Sequence, residues 1–117
     1  MDHISNRLKS LNTIVTDKYH RVATKSIGFA KAVGNYAGTL LPYKEIVEDG
    51  YDEIIFLNAS NENIIDEARS ANIFVLKGNV LKTPMLQGSI LPGITRDSVI
   101  KVASKILYER KMFLWTN

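Results

Sequence analysis

Apolar positions along the chain switch between short runs and helix-like spacing, and the pattern predicts alternating strands and helices. Residues 11–15 and 19–22 read as short strands, followed by a loop of mixed polarity over 23–29. Lys31 then stands just ahead of a helical stretch. Tyr36, Leu40, Leu41, Ile46 and Val47 share part of one face there, Gly50 ends it, and Pro42 marks a kink or a second start. Residues 53–57 read as a buried strand, 61–63 as polar turn material, and Ile64-Ile65 as the start of an extended piece that carries Asp66 and Glu67. The strongest strand signal is 71–76; a Gly78-Asn79 turn joins it to Val80-Leu81, so 73–82 reads as a hairpin that Thr83-Pro84 stops. Val99, Ile100, Val102, Ala103, Ile106 and Leu107 recur at helical spacing and predict a helix with one buried stripe. No repeat, low-complexity linker or internal domain boundary interrupts the series.

The nine residues 88–96, Gly-Ser-Ile-Leu-Pro-Gly-Ile-Thr-Arg, run straight into that last helix. A Pro-Gly step turns the chain, Gly93 leaves room for a ligand to approach, and Thr95 stands where an N-cap is expected. The unpaired N–H groups of the first turn and the positive end of the helix dipole coincide there, which favours phosphate. On spacing alone, an ordinary capped helix is the favoured reading.

Composition narrows the field. The chain has 117 residues, 45% hydrophobic and 23% charged, enough for one small domain or a piece of one. No apolar run approaches the length of a membrane span, and residues 1–7 carry no apolar stretch of the kind a secretory signal needs. The expectation is a soluble intracellular setting, cytoplasmic by default. There are no cysteines, which excludes disulfides and Cys-based zinc sites, and the two histidines, His3 and His20, have no obvious ligand partners, so no metal is expected. The net charge of +3 is spread among acidic residues without forming a stripe, which argues against a nucleic-acid partner.

Three constellations fall in order along the chain: Lys31 with Asn35-Tyr36, Glu67 with Asn72, and the 88–96 cup. The stretches Lys-Ala-Val-Gly-Asn-Tyr-Ala from Lys31, Gly-Tyr-Asp-Glu-Ile-Ile-Phe-Leu from Gly50, Glu-Ala-Arg-Ser-Ala-Asn-Ile-Phe from Glu67, and Thr83-Pro84 leading to the cup make the series specific. The chain resembles the fold-type IV (class IV) aminotransferases that use pyridoxal phosphate, most closely the branched-chain amino-acid group, over roughly residues 10–103.

The resemblance implies an α/β (α+β) fold, a partial large domain with a mixed sheet or pseudo-barrel and flanking helices. It also implies transfer of the amino group of leucine, isoleucine or valine to 2-oxoglutarate. Lys31 matches the lysine that forms the aldimine with the cofactor and then moves protons, a task that needs a neutral amine and hence a buried site beside a cationic ring. Tyr36 matches the phenol that bonds the ring oxygen, and its spacing from Lys31 requires a loop or helix-start conformation around Gly34. Glu67 matches the carboxylate that pairs with the ring nitrogen, although a one-residue slip would aim Asp66 there instead. Leu91 matches a residue that packs on the ring, and Gly93, Ile94 and Thr95 belong to the phosphate cup. Arg96 reads as a structural salt-bridge partner ahead of a phosphate contact, Asn72 as support for neighbouring backbone, and Arg21, which also matches a family position, as a surface salt-bridge partner at a strand end ahead of a residue that orients a carboxylate near the cofactor. The relatives form homodimers.

Departures from the pattern matter equally. Relatives usually carry Gly-Gly where Lys25-Ser26 stand, and only Gly28 keeps its expected glycine. The family's first domain, with an arginine for the phosphate and much of the substrate pocket, has no counterpart ahead of Ser10, and a second phosphate threonine is missing after about Ser104. The organisation expected is an unmatched segment 1–9, a partial cofactor-binding domain over 10–104, and a divergent tail 105–117 whose Met112, Phe113, Leu114 and Trp115 cover a core edge. A truncated aminotransferase of this kind should expose sheet edges and apolar patches. The alternatives are a non-catalytic fragment that associates with a full-length relative or another protein, and a relative of the D-amino-acid transaminases or aminodeoxychorismate lyases.

Overall fold

The computed structural model describes residues 9–23, 25–109 and 113–116, without the side chains of 107–109 and 113–116. His3, Thr24 and Met112 lie outside it. A short strand, β1 (Thr13–Thr16), pairs in parallel with β2 (Glu53–Asn58), Thr13 opposite Glu53 and Thr16 opposite Phe56. Parallel neighbours need a long crossover, and here it carries a single 3-10 turn (Ile27–Phe29) and the helices α1 (Val33–Ala37) and α2 (Leu40–Glu48). Lys31 thus sits in the crossover, between the turn and α1. The strand expected over 19–22 does not form, because Arg21 turns inward to bond two carbonyls.

Two helices replace the single helical stretch. Thr39 occupies the N-cap position of α2, and Pro42 falls in its first turn, where a missing N–H costs nothing. The second start is the option realised. Ile46 of α2 packs on Ile54 and Phe56 of β2, with Ile14, Tyr19 and Tyr43 against them. Burying side chains of this size contributes about 1.5–3 kcal/mol each. The outward side chains of α2, Leu40, Leu41 and Val47, remain exposed.

β3 (Asn61–Ala68) returns antiparallel to β2. The polar triplet 61–63 is therefore strand, not turn; the reversal comes earlier, where the Asn58 side chain accepts from the Ser60 and Asn61 N–H groups. Leu57 pairs with Ile65 but Ile55 with Ala68, so two steps on β2 face three on β3. That bulge falls on Asp66 and Glu67 and breaks the simple alternation of faces. Both residues are buried.

The second sheet holds β4 (Val75–Lys77), β5 (Val80–Thr83) and β6 (Phe113–Thr116), with β4 antiparallel and β6 parallel to β5. The hairpin forms with Gly78-Asn79 at its tip and Thr83 at its end, although only Val75-Leu76 of the 71–76 signal is strand. The apolar tail pairs with β5 as a strand. The helix after the cup, α3 (Ile94–Glu109), buries no full stripe: Val99, Ile100 and Ala103 are half-buried, Val102 and Ile106 are 56% and 46% exposed, and the Leu107 side chain lies outside the description. The described residues form a mixed α+β fold of two three-stranded sheets and flanking helices. Among the described residues no helix is long and apolar enough to cross a membrane, and no group of three or more His, Asp or Glu could hold a metal ion.

Lys25 sits at a left-handed φ of +56°, one of the two positions where relatives are expected to carry glycine. A Cβ is strained there. Lys25→Gly is expected to stabilise the chain by about 0.5–1 kcal/mol in urea unfolding; an unchanged or lower midpoint would show that the side chain compensates for the strain.

Candidate active site

Lys31, Tyr36, Glu67, Leu91, Gly93, Ile94 and Thr95 all line one cavity of about 750 Å³. They come from three stretches of chain: the crossover, the bulged end of β3, and the segment that enters α3. The volume lies within the usual range for small-molecule sites, about 300–1,000 Å³.

Asn35 fixes the crossover. It is buried, and its side-chain amide donates to the carbonyls of Ile27 (2.8 Å) and Ala30 (2.9 Å), so the turn just before Lys31 is tied to the first turn of α1. Ala32, in extended conformation, caps α1, so the chain around Gly34 is the helix start that brings Lys31 and Tyr36 to the same cavity. Tyr36 is half-buried. Lys31 is exposed, not buried as the chemistry of a neutral amine led one to expect.

Glu67 is the most connected group in the site. It is 3% exposed, with Oε1 paired to Arg21 Nη2 at 2.5 Å and accepting from the Leu91 N–H at 3.1 Å, while Oε2 accepts from Asn72 Nδ2 at 2.9 Å. A carboxylate has about four acceptor positions, so one on Oε2 is open. Burial pushes the Glu67 carboxyl above its ordinary value; Arg21 and the Leu91 N–H pull it back, and neighbouring Asp66 adds to the rise. Asp66 itself does not line the cavity, and it accepts from Asn58 Nδ2 at 3.0 Å instead. Of the two acids the bulge left in question, Glu67 faces the site.

Arg21 corrects its expected surface role. It is 8% exposed, and besides Glu67 its Nη2 donates to the carbonyls of Gly28 (3.0 Å) and Ser89 (2.8 Å). Burial is what the one-dimensional reading missed; the matching family position was the available signal. Phe29, Ser70, Phe74 and Val99 also line the cavity; Ser70 and Phe74 belong to the motif that starts at Glu67 and Val99 to the expected helix stripe, while Phe29 had been placed only in a loop.

The cup differs in detail from its expected form. α3 begins at Ile94, so Gly93, whose carbonyl accepts from the Asp97 N–H at 3.0 Å, holds the cap position and Thr95 lies inside the first turn. Thr95 and Ile94 are exposed on the cavity wall, with Ile94 at 87%. The tight turn at Pro92 is present, closed by the Gly93 N–H on the Leu91 carbonyl at 2.8 Å. A Cβ on Gly93 would lie 2.2 Å from Asn72 Oδ1. The bare glycine, itself on the cavity wall, makes room for Asn72, and Asn72 in turn bonds the Leu91 carbonyl at 2.9 Å, the supporting role expected of it. Arg96 is structural as expected, but its partner is the Pro84 carbonyl at 2.9 Å rather than an acid.

The donor set tests the cofactor directly. A primary amine, a phenol, a buried carboxylate with one open acceptor position, an apolar Leu91 and the start of a 16-residue helix share one cavity. Arg96 adds a buried Nε with no partner on the same wall. These groups fit a molecule with a carbonyl, a protonated ring nitrogen and a phosphate.

Comparison with known proteins gives the same direction. The family model for amino-transferase class IV matches residues 3–112. The chain is 42% identical over 102 residues to a probable branched-chain-amino-acid aminotransferase of Staphylococcus epidermidis, covering 87% of this chain and 28% of that protein. Its structure is similar to the branched-chain amino acid aminotransferase of Escherichia coli (TM-score 0.76, 34% identity, 92% of this chain and 35% of that one). It is also similar to the PLP-form of the branched-chain amino acid aminotransferase of Thermobaculum terrenum (TM-score 0.81, 28% identity, 93% and 34%). The chain thus spans about a third or less of the length of these relatives.

A carboxyl with a raised folded-state value holds its proton more tightly folded than unfolded. Its contribution to stability therefore falls as pH rises from the ordinary value of 4.5 to the raised one. The stability of the wild type minus that of Glu67→Gln is expected to decline across that window in urea unfolding at stepped pH; a difference that rises with pH would reverse the assignment.

Proposed function

The chain belongs to the class IV aminotransferase family, and from that premise we propose that it carries the pyridoxal-phosphate half-site of a branched-chain amino-acid aminotransferase, residues 10–104 forming the partial cofactor-binding domain. The observation that carries the reading is the convergence of Lys31, Tyr36, Glu67 and the start of α3 on one cavity. When bound, pyridoxal phosphate supplies an electron sink that lets the amino group of leucine, isoleucine or valine pass to 2-oxoglutarate.

The chain's own groups divide that work. Lys31, at the end of a turn fixed by Asn35, presents its amine to the cavity as the nucleophile and later as the group that moves a proton at the substrate carbon. Glu67 offers its open acceptor position to the ring N–H, and the favourable charge opposes the cost of its burial. Tyr36 donates to a ring oxygen. Leu91 covers a ring face, with its backbone held at both ends by Glu67 and Asn72. The first-turn N–H groups at Ile94 and Thr95, beside Gly93, receive the phosphate. An amino acid and a 2-oxo acid are the substrates of the reading, and a homodimer its assembly.

A second reading has its own observation. The exposed apolar side chains of α2 and α3 suit a non-catalytic chain that associates with a longer relative or another protein.

Titration with pyridoxal phosphate separates the two. The first reading expects a visible absorption band and, after borohydride, a cofactor-sized mass increase on Lys31 that Lys31→Ala abolishes. Tyr36→Phe should weaken cofactor affinity by about 2- to 12-fold, the equivalent of one hydrogen bond at roughly 0.5–1.5 kcal/mol. No band at saturating cofactor, or a band unchanged in Lys31→Ala, would sink the catalytic reading.

A further inference from the structure

Three segments distant in sequence meet at a single nitrogen atom. Arg21 Nη2 lies 2.5 Å from Glu67 Oε1, 3.0 Å from the Gly28 carbonyl and 2.8 Å from the Ser89 carbonyl. That nitrogen carries two hydrogens, so three acceptors share them. The convergence is built into the packing: a Cβ on Gly28 would stand 2.3 Å from the Ser89 oxygen and 2.7 Å from Val22 Cγ2, so only glycine lets the two carbonyls approach the same donor. Two residues beyond Ser89, the Leu91 N–H donates to the same carboxylate oxygen that Arg21 pairs with. Charge on Glu67 and the position of the segment that enters the cup are therefore one property.

We propose that Arg21 is the positioning residue of the site, a clamp that keeps Glu67 ionised and aimed into the cavity while it fixes Ser89 to Leu91 beneath the cup. Arg21 also lines the cavity, and its role as a clamp is the one it exerts through Glu67 and Leu91. The groups that face Glu67 decide its charge: Arg21 across the pair, Asp66 beside it, neutral Asn72 on the other oxygen, and Lys31 and Arg96 on the same cavity wall. Of these, Arg21 is the one cation within bonding distance of the carboxylate among the described residues. Loss of that cation leaves a buried acid that neutralises by taking a proton. A protonated Glu67 then has one fewer acceptor for the Leu91 N–H, and the Ser89 carbonyl loses its donor at the same time. A lysine restores the charge as a point, without the planar fork.

The clamp deepens the transaminase reading and rests on it for the identity of the bound ring, but its test needs no cofactor. In the chain labelled with glutamate carboxyl carbon-13, the Glu67 signal is assigned by its disappearance in Glu67→Gln and followed with pH. Arg21→Met is expected to raise the Glu67 midpoint by at least about one pH unit, a tenfold gain in proton affinity. Arg21→Lys is expected to recover most of that shift while the Leu91 amide, whose acceptor the clamp holds, exchanges about tenfold faster than in the wild type, an opening free energy lowered by about 1.4 kcal/mol. A folded Arg21→Met with an unmoved Glu67 midpoint would overturn the proposal, as would Arg21→Lys with unchanged exchange. If neither variant folds, the wild type decides: the Arg21 side-chain nitrogen and the Ser89 carbonyl carbon should titrate with the Glu67 midpoint, and signals that ignore it would overturn the clamp. A clamp that passes in a chain that gives no band with pyridoxal phosphate would sink the functional reading alone.

Discussion

One buried carboxylate organises this molecule. Glu67 is almost wholly removed from water, and an acid in that position is tolerated only when donors surround it. The donors come from three places, Arg21 ahead of the crossover's helices, Asn72 just past β3, and the Leu91 backbone below α3. Each of these requires something else. Asn72 fits because Gly93 has no side chain, the Arg21 carbonyl partners meet because Gly28 has none, and Glu67 points the right way because β3 bulges. Among the described residues the main apolar cluster lies between α2 and β2, with Ile14 of β1 and Tyr19 against it, and includes no residue of the second sheet. The polar node is thus what holds the crossover, β3 and the helix start around a common cavity.

Some of this was legible in the sequence. The position of Lys31 before a helix, the buried strand over 53–57, the Gly78-Asn79 hairpin and the stop at Thr83-Pro84 rest on local rules of periodicity and turn chemistry, and they appear in the fold. The cavity gathers Lys31, Tyr36, Glu67 and the cup residues, which the motif order had grouped. Where the reading failed, the cause was tertiary. Residues 19–22 have strand-like composition, but Arg21 is drawn into the Glu67 node and the segment bends. The triplet 61–63 looks like a turn because it is polar, yet it pairs at the end of β3, on the solvent side. A bulge carries no pattern of its own, so Asp66 and Glu67 could not be told apart in one dimension. Thr95 looked like a cap by residue type, while Gly93 took that place because Asn72 fills the space a side chain would need.

The exposed apolar surface has a plain origin in the same facts. α3 presents Ile94, Val102 and Ile106 outward, and α2 presents Leu40 and Leu41, in a chain that spans about a third or less of the relatives it matches. Among the described residues the buried apolar cluster is small, Ile46, Ile54 and Phe56 with three partly buried neighbours, and its contribution to stability is correspondingly limited. Strain such as that at Lys25, with φ at +56°, therefore weighs more here than it would in a larger core.

The central claim is that Glu67, held ionised within the cavity, is the group that meets the ring nitrogen of pyridoxal phosphate. Nitrogen-15 NMR of the chain loaded with ring-labelled cofactor tests it most directly. The account predicts a protonated ring nitrogen at neutral pH whose signal moves toward that of the deprotonated ring in Glu67→Gln. A ring nitrogen that gives the same signal in both proteins would contradict it.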